Sequence, residues 1–309
     1  MLGNTLLNFN CLHVLKLNGD SIKELPSSVG LLIHLRLVSV ASLSIRALPK
    51  SITKLYNLQT LRIEGCRNVR EPPEDLKQLI TLRHIYIPYG FYEKLKDIGQ
   101  LTCLQTLRCF IVGQDAGHRI EELGCLNQLR GKLNLWNLGH VRDREEARRA
   151  NLEEKAKIYK LRFYWTRRGS EREGNHENDE EVLEGLKPHR HLKSLAIDGF
   201  GGKKFPSWMS LLFGNLIEIE FGNCRKCEVL PTLGLLPHLR VLTIEGMDGV
   251  RHIGTEFYSN NKNGSDGTTF FPALRKLNLS EMPNLVEWKD VIDPATTTGL
   301  MVFPCLEEL

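Results

Sequence analysis

Apolar residues recur along the chain in one frame. Leu12/Leu15/Leu17, Leu35/Val38/Val40, Leu58/Leu61/Ile63, Leu82/Ile85/Ile87 and Leu104/Leu107/Cys109 each read L-x-x-L-x-L, and their first leucines advance by 23, 23, 24 and 22 residues. The frame loosens at "GKLNLWNL" (Leu133, Leu135) and "IYKLRFYW" (Ile158, Leu161, Phe163). It returns as Leu192/Leu195/Ile197, Leu216/Ile219/Phe221, Leu239/Leu242/Ile244 and Leu274/Leu277/Leu279. Alternation at period two predicts one short strand per unit, apolar on one face and polar on the other.

A single unit cannot bury its own leucines. Stacking the units buries them as a continuous core, with one parallel strand per unit. The period is that of leucine-rich repeats. The expected fold class is therefore α/β: a curved leucine-rich repeat solenoid of about 12 repeats, with a parallel sheet on the concave face and loops and short helices on the convex face. Pro26, Pro49, Pro73 and Pro231 fall in the convex returns, where no ladder N–H is required.

The pattern subdivides one expected domain, 1–309. Residues 1–112 form regular repeats, 113–190 irregular ones, and 191–309 longer ones. Within the irregular block a helix is expected over 143–158, capped by Asp143 with Glu146 three residues on, followed by an acidic loop over 169–181. The chain enters a repeat almost at once and Leu309 stops inside one, so both ends are expected to be cut.

Composition alters this picture little. The 309 residues carry a net charge of +4, with 41% hydrophobic and 25% charged residues, an ordinary globular balance that does not call for nucleic acid. No run of 18 apolar residues is present, and the first twenty residues lack the basic and apolar regions of a signal peptide. Eight cysteines in this length make no disulfide framework, so a cytoplasmic setting with reduced thiols and no membrane is expected.

Candidate chemistry is sparse. No nucleophile elbow, H-E-x-x-H or P-loop occurs, so no catalytic residue, cofactor or metal is expected and the chain reads as a non-enzyme. His34, His191 and His238 stand just before the first leucine of a repeat, as do Asn57 and Asn215, which points to a structural habit of the frame. Cys224 and Cys227 form a C-x-x-C, but Cys224 occupies the inward slot of L-x-x-L-x-L-x-x-C, as does Cys66, leaving only Cys227 free.

The outward strand positions carry the candidate recognition residues: Arg62, Tyr86, Arg108, Phe110, Trp136, Arg162, Tyr164, Asp198, Glu218, Glu220 and Glu245. Phe110, Trp136 and Tyr164 fall on successive strands of one column beside Arg108 and Arg162, the composition of a protein-binding hot spot. Lys16, Arg62, Arg108, Lys132, Lys160 and Arg162 precede the acidic segment, while Asp198, Glu218, Glu220 and Glu245 follow it. Such a separation of charge could orient a partner. The alternatives are a plain solvated sheet face for the charges, and burial of the three rings beneath the irregular block. An aromatic ladder with arginine could also hold single-stranded nucleic acid, but the acidic second half argues against it.

Several stretches resemble a known family. "LKPHRHLKSLAIDGFGGKKFPSWM", "IKELPSSVG", "NLQTLRIEGC" and "LRGKLNLWNL" with "EEARRANLEEK" look like the leucine-rich repeat region of plant intracellular disease-resistance receptors of the coiled-coil, nucleotide-binding class. The resemblance covers essentially the whole chain. It implies protein–protein recognition in innate immunity, with a pathogen effector or guarded host protein as partner, and restraint of the parent receptor's nucleotide-binding switch domain. The family's P-loop and Met-His-Asp switch motif do not occur here, so nucleotide binding does not transfer to this chain. A generic intracellular repeat scaffold without an immune role is the rival reading; a P-loop domain encoded in frame upstream of Met1 would distinguish them.

Overall fold

The computed structural model describes residues 5, 6, 8–20, 23–42, 44, 45, 47–65, 71–73, 75–165, 178–211, 214–259, 269–289 and 301–309. They divide into two compact units, Met1–Leu133 and Asn134–Leu309. The sequence reading foresees one domain over 1–309; the boundary between the two units lies inside its irregular block, within a strand (β6, Gly131–Trp136) and not at a linker.

In the first unit, β1 (Val14–Asn18), β2 (Leu37–Ala41), β3 (Thr60–Glu64) and β4 (His84–Tyr86) pair in parallel and in sequence order. Lys16, Ser39, Arg62 and Tyr86 align across them on the outer side. Their neighbours Leu15, Val38, Leu61 and Ile85 are buried on the inner side. The returns are short 3-10 turns. Ser27–Leu31 and Lys50–Lys54 are each entered from a proline, Pro26 and Pro49, whose fixed φ suits the start of a turn. These two turns stack so closely that a Cβ on Gly30 would lie 2.5 Å from the Ser51 carbonyl oxygen.

In the second unit the strands follow the order β13-β10-β9-β8-β7-β6. These are β7 (Ile158–Tyr164), β8 (Ser194–Asp198), β9 (Glu218–Gly222), β10 (Val241–Glu245) and β13 (Lys276–Ser280), beside β6. Leu161, Leu195, Ile219, Leu242 and Leu277 form one buried inner row across β7 to β13. Two two-stranded pairs lie outside this order: β11 (His252–Ile253) with β14 (Glu287–Trp288), and β12 (Thr269–Phe270) with β15 (Met301–Val302).

Two frame positions explain why the strands stop and why the repeats stay in register. The residue after β1, β3, β6, β8, β9, β10 and β13 takes a positive φ: Gly19, Gly65, Asn137, Gly199, Asn223, Gly246 and Glu281. A left-handed residue turns the chain out of the sheet, and Gly or Asn adopts it at least cost. The position before a repeat's first leucine ties to the repeat before it. Asn57 Nδ2 donates to the Ile33 carbonyl (2.9 Å), Thr81 Oγ1 to Tyr56 (2.6 Å) and Asn215 Nδ2 to Arg190 (3.1 Å).

The helix expected over 143–158 is far shorter. Helix α2 spans Arg144–Arg148, after α1 (Tyr89–Tyr92) in the first unit. Asn151 turns left-handed at φ 52° and a 3-10 turn, Leu152–Glu154, leads into β7. Ala150 and Leu152 are buried, so their packing overrides the helical propensity of this segment. Asp143 does cap α2, accepting from the Glu146 N–H at 2.8 Å. Glu146 reaches one residue further back than a capping box requires, accepting from the Arg142 N–H (2.9 Å) and Nε (3.0 Å). Of the acidic loop expected over 169–181, residues 169–177 lie outside the described residues. Asp179–Glu181 open α3 (Asp179–Gly185), which packs on α2.

Candidate functional site

The outer rows of the second unit bring together seven of the candidate recognition residues: Trp136, Arg162, Tyr164, Asp198, Glu218, Glu220 and Glu245. Strand register sets the rows. Lys160, Ser194 and Glu218 form one; Arg162, Ala196, Glu220 and Thr243 the next; Tyr164, Asp198, Gly222 and Glu245 the third.

In the first two rows the charges join. Lys160 Nζ lies 2.8 Å from Glu218 Oε2, and Arg162 Nη2 lies 3.1 Å from Glu220 Oε2. Each bridge passes over β8, where the intervening residues are small. Ser194 adds a 2.6 Å hydrogen bond to Glu218, and Ala196 leaves the guanidinium room to cross. The Lys160 and Ser194 bonds hold the Glu218 carboxyl below its ordinary value. Within this unit the charge separation expected from the sequence is therefore partly closed, because Lys160 and Arg162 are bound to Glu218 and Glu220 while Asp198 and Glu245 have no ion-pair partner among the described residues.

The third row is arranged differently. Trp136 stacks on Tyr164 with ring centroids 3.8 Å apart and planes 7° from parallel. Arg162 Nη1 donates to the Tyr164 hydroxyl at 3.1 Å, fixing the ring from the neighbouring row. Asp198, half-buried, accepts from the Asn223 amide at 3.2 Å. Burial pushes its carboxyl above the ordinary value; the Asn223 bond opposes this, Glu220 adds to it and Arg162 opposes it. Glu245 is exposed at the end of β10, across Gly222 from Asp198.

Phe110 does not belong to an open face. It is 5% exposed, and every residue of its strand, β5 (Cys109–Ile111), is buried; α1 packs against that strand. The aromatic column is thus corrected to a pair, Trp136 and Tyr164. In the first unit, Tyr86 lies between two guanidinium groups, with Arg62 4.6 Å and Arg108 4.9 Å from its ring centroid. Arg62 also pairs with Glu64 at 3.2 Å.

Ser194, Gly222 and Asn223 were not singled out from the sequence. Their signal was present in a small residue lying between opposite charges of one column, and in an Asn at the strand-ending position.

The C-x-x-C holds no exposed thiol. Cys224 and Cys227 are both fully buried; the inward slot expected for Cys224 is observed, and Cys227, which the repeat frame left unassigned, is buried as well. Cys224 Sγ lies 3.3 Å from the Gly222 carbonyl oxygen, and Cys227 Sγ lies 3.4 Å from those of Lys203 and Val229. Burial pushes the Cys227 thiol up to about 12 and that of Cys224 well above its usual value. Cys66 lies outside the described residues. Among the described residues no group of three or more His, Cys, Asp or Glu side chains is placed to hold a metal ion, and no helix is long and apolar enough to cross a membrane.

The stacked parallel strands with buried leucine columns define a leucine-rich repeat protein. A Leptospira interrogans leucine-rich repeat protein shares the fold, with a TM-score of 0.52 at 16% identity over 97% of this chain and 76% of that one. Residues 120–247 match the family model of R13L1/DRL21 leucine-rich repeats. The RPP13-like protein 1 of Arabidopsis thaliana, which its name assigns to disease resistance, is 36% identical over 306 residues, 96% of this chain and 29% of that protein. The disease resistance protein RGA2 of Solanum bulbocastanum is 35% identical over 309 residues, 98% of this chain and 31% of that protein. The repeats are therefore of the type found in plant disease resistance proteins, and the chain spans less than a third of the length of these relatives.

Proposed function

We propose that the chain is a non-enzymatic, cytoplasmic recognition module of plant innate immunity, whose outer strand rows bind a pathogen effector or a guarded host protein. The observation that carries this reading is the half-exposed Trp136–Tyr164 stack held by Arg162. Rigid aromatic surface beside arginine is the composition of interface hot spots, and resistance proteins are its relatives. In a longer parent protein the same repeats would also restrain a nucleotide-binding switch domain.

Disruption of the gene, followed by complementation with the wild-type chain or with Trp136→Ala/Tyr164→Ala, tests the immune role. Greater pathogen growth on disruption, reversed by the wild type and not by the double variant, is expected. Unchanged pathogen growth on disruption would contradict the immune role and leave the generic scaffold.

A further inference from the structure

We propose that the third row of the second unit docks an extended, cationic segment of its protein partner, with a Lys or Arg side chain laid over Gly222 between the carboxylates of Asp198 and Glu245. This rests on the reading that the face recognises a protein, and adds the chemistry of what it recognises.

The charge balance of the face points to a cation. Lys160 and Arg162 are bonded to Glu218 and Glu220, and Arg162 spends a further donor on Tyr164. Asp198 is held by the neutral amide of Asn223. Among the described residues neither Asp198 nor Glu245 lies within ion-pair distance of a Lys or Arg. An acidic partner over this row would meet these two carboxylates while Lys160 and Arg162 beside them are already engaged, and like-charge juxtaposition is strongly unfavourable.

The shape of the row agrees. Asp198 and Glu245 stand on strands either side of Gly222, about 10 Å apart at two strand spacings. Gly222 contributes no side chain of its own, and the Asp198 carboxylate leans over it, since a Cβ there would lie 2.6 Å from Asp198 Oδ2; a cation over Gly222 therefore meets that carboxylate directly on its way toward Glu245. A guanidinium or ammonium entering over Gly222 gains charge-assisted hydrogen bonds on both sides. The Trp136–Tyr164 stack lies at the other end of the row and receives either a second cation or an aliphatic stem on its face. Four strand spacings separate Trp136 from Glu245, about 19 Å, which is about six residues of extended chain.

The test is selection of random twelve-residue peptides displayed on phage against the folded full chain. Binders are sorted by loss of binding to Asp198→Asn/Glu245→Gln and, separately, to Trp136→Ala; both variants are first checked by thermal melting. The proposal expects peptides enriched in Lys and Arg, at least tenfold weaker on the double carboxylate variant, and weaker in added salt. Acidic or uncharged binders that are lost only on Trp136→Ala overturn the cationic assignment and leave the recognition face standing. Binders indifferent to every variant, or no binders, overturn both.

Discussion

Trp136 and Tyr164 stack at 3.8 Å on adjacent strands of the second unit, and the hydroxyl of Tyr164 is held at 3.1 Å by the arginine two residues before it. The pair is thus positioned before any partner arrives, and a side chain already ordered loses less entropy on binding.

The Arg162–Glu220 bridge should contribute more to order than to stability. It is partly exposed, with side-chain exposures of 29% and 42%, so a double-mutant cycle with Arg162→Ala and Glu220→Ala should give a coupling of roughly 0.2–1 kcal/mol. Denaturant melts at low and high salt measure it. A coupling of several kcal/mol would show that the bridge is a structural keystone.

Asp198 should weaken the fold at neutral pH. Burial raises its carboxyl above the unfolded value, so the native state holds the proton more tightly. Its contribution then falls as pH rises through the raised value and recovers as pH falls below it. Asp198→Asn should melt higher than the wild type at pH 7, with the gap closing toward acid pH. A lower melting temperature for the variant at pH 7 would contradict this.

Gly185 should tolerate no side chain. It ends α3 where that helix meets α2, and an added Cβ would lie 2.5 Å from the Arg144 carbonyl oxygen and 2.7 Å from the Ala147 Cβ. Gly185→Ala should cost about 1–3 kcal/mol in urea unfolding. An unchanged midpoint would mean that the two helices slide apart freely.

The two thiols of the C-x-x-C should stay silent in the native protein. With both buried and both pKa values raised, Cys224→Ser/Cys227→Ser should leave the fast phase of labelling by a thiol reagent at neutral pH unchanged. Cys11, Cys103, Cys125 and Cys305 are exposed and contribute to that phase. A smaller fast amplitude in the double variant would place one of the pair at the surface.

The repeat frame was legible because it is written twice, in the spacing of leucines and in the prolines of the returns. Its outer columns follow from the same count, so Arg162, Ala196 and Glu220 align as the frame requires. What the frame does not encode is contact along a column, between residues on different strands. The joining of Lys160 to Glu218 spans 58 residues of sequence and depends on Ser194 being small, so Lys160 and Glu218, like Arg162 and Glu220, read as separated charges although they are paired. Phe110 was misplaced because an outward strand position is open only where nothing packs over it. The long helix over 143–158 failed for a related reason: buried Ala150 and Leu152 and the left-handed Asn151 end it early, whatever its propensity.

The central claim is that the outer rows of the second unit bind a protein through Trp136. The most direct measurement is the affinity of the full chain for a partner that the gene's immune phenotype requires, compared with Trp136→Ala at matched folding. A loss of about 2 kcal/mol or more, roughly thirtyfold in Kd, is predicted. An undiminished affinity in a folded variant would contradict the account.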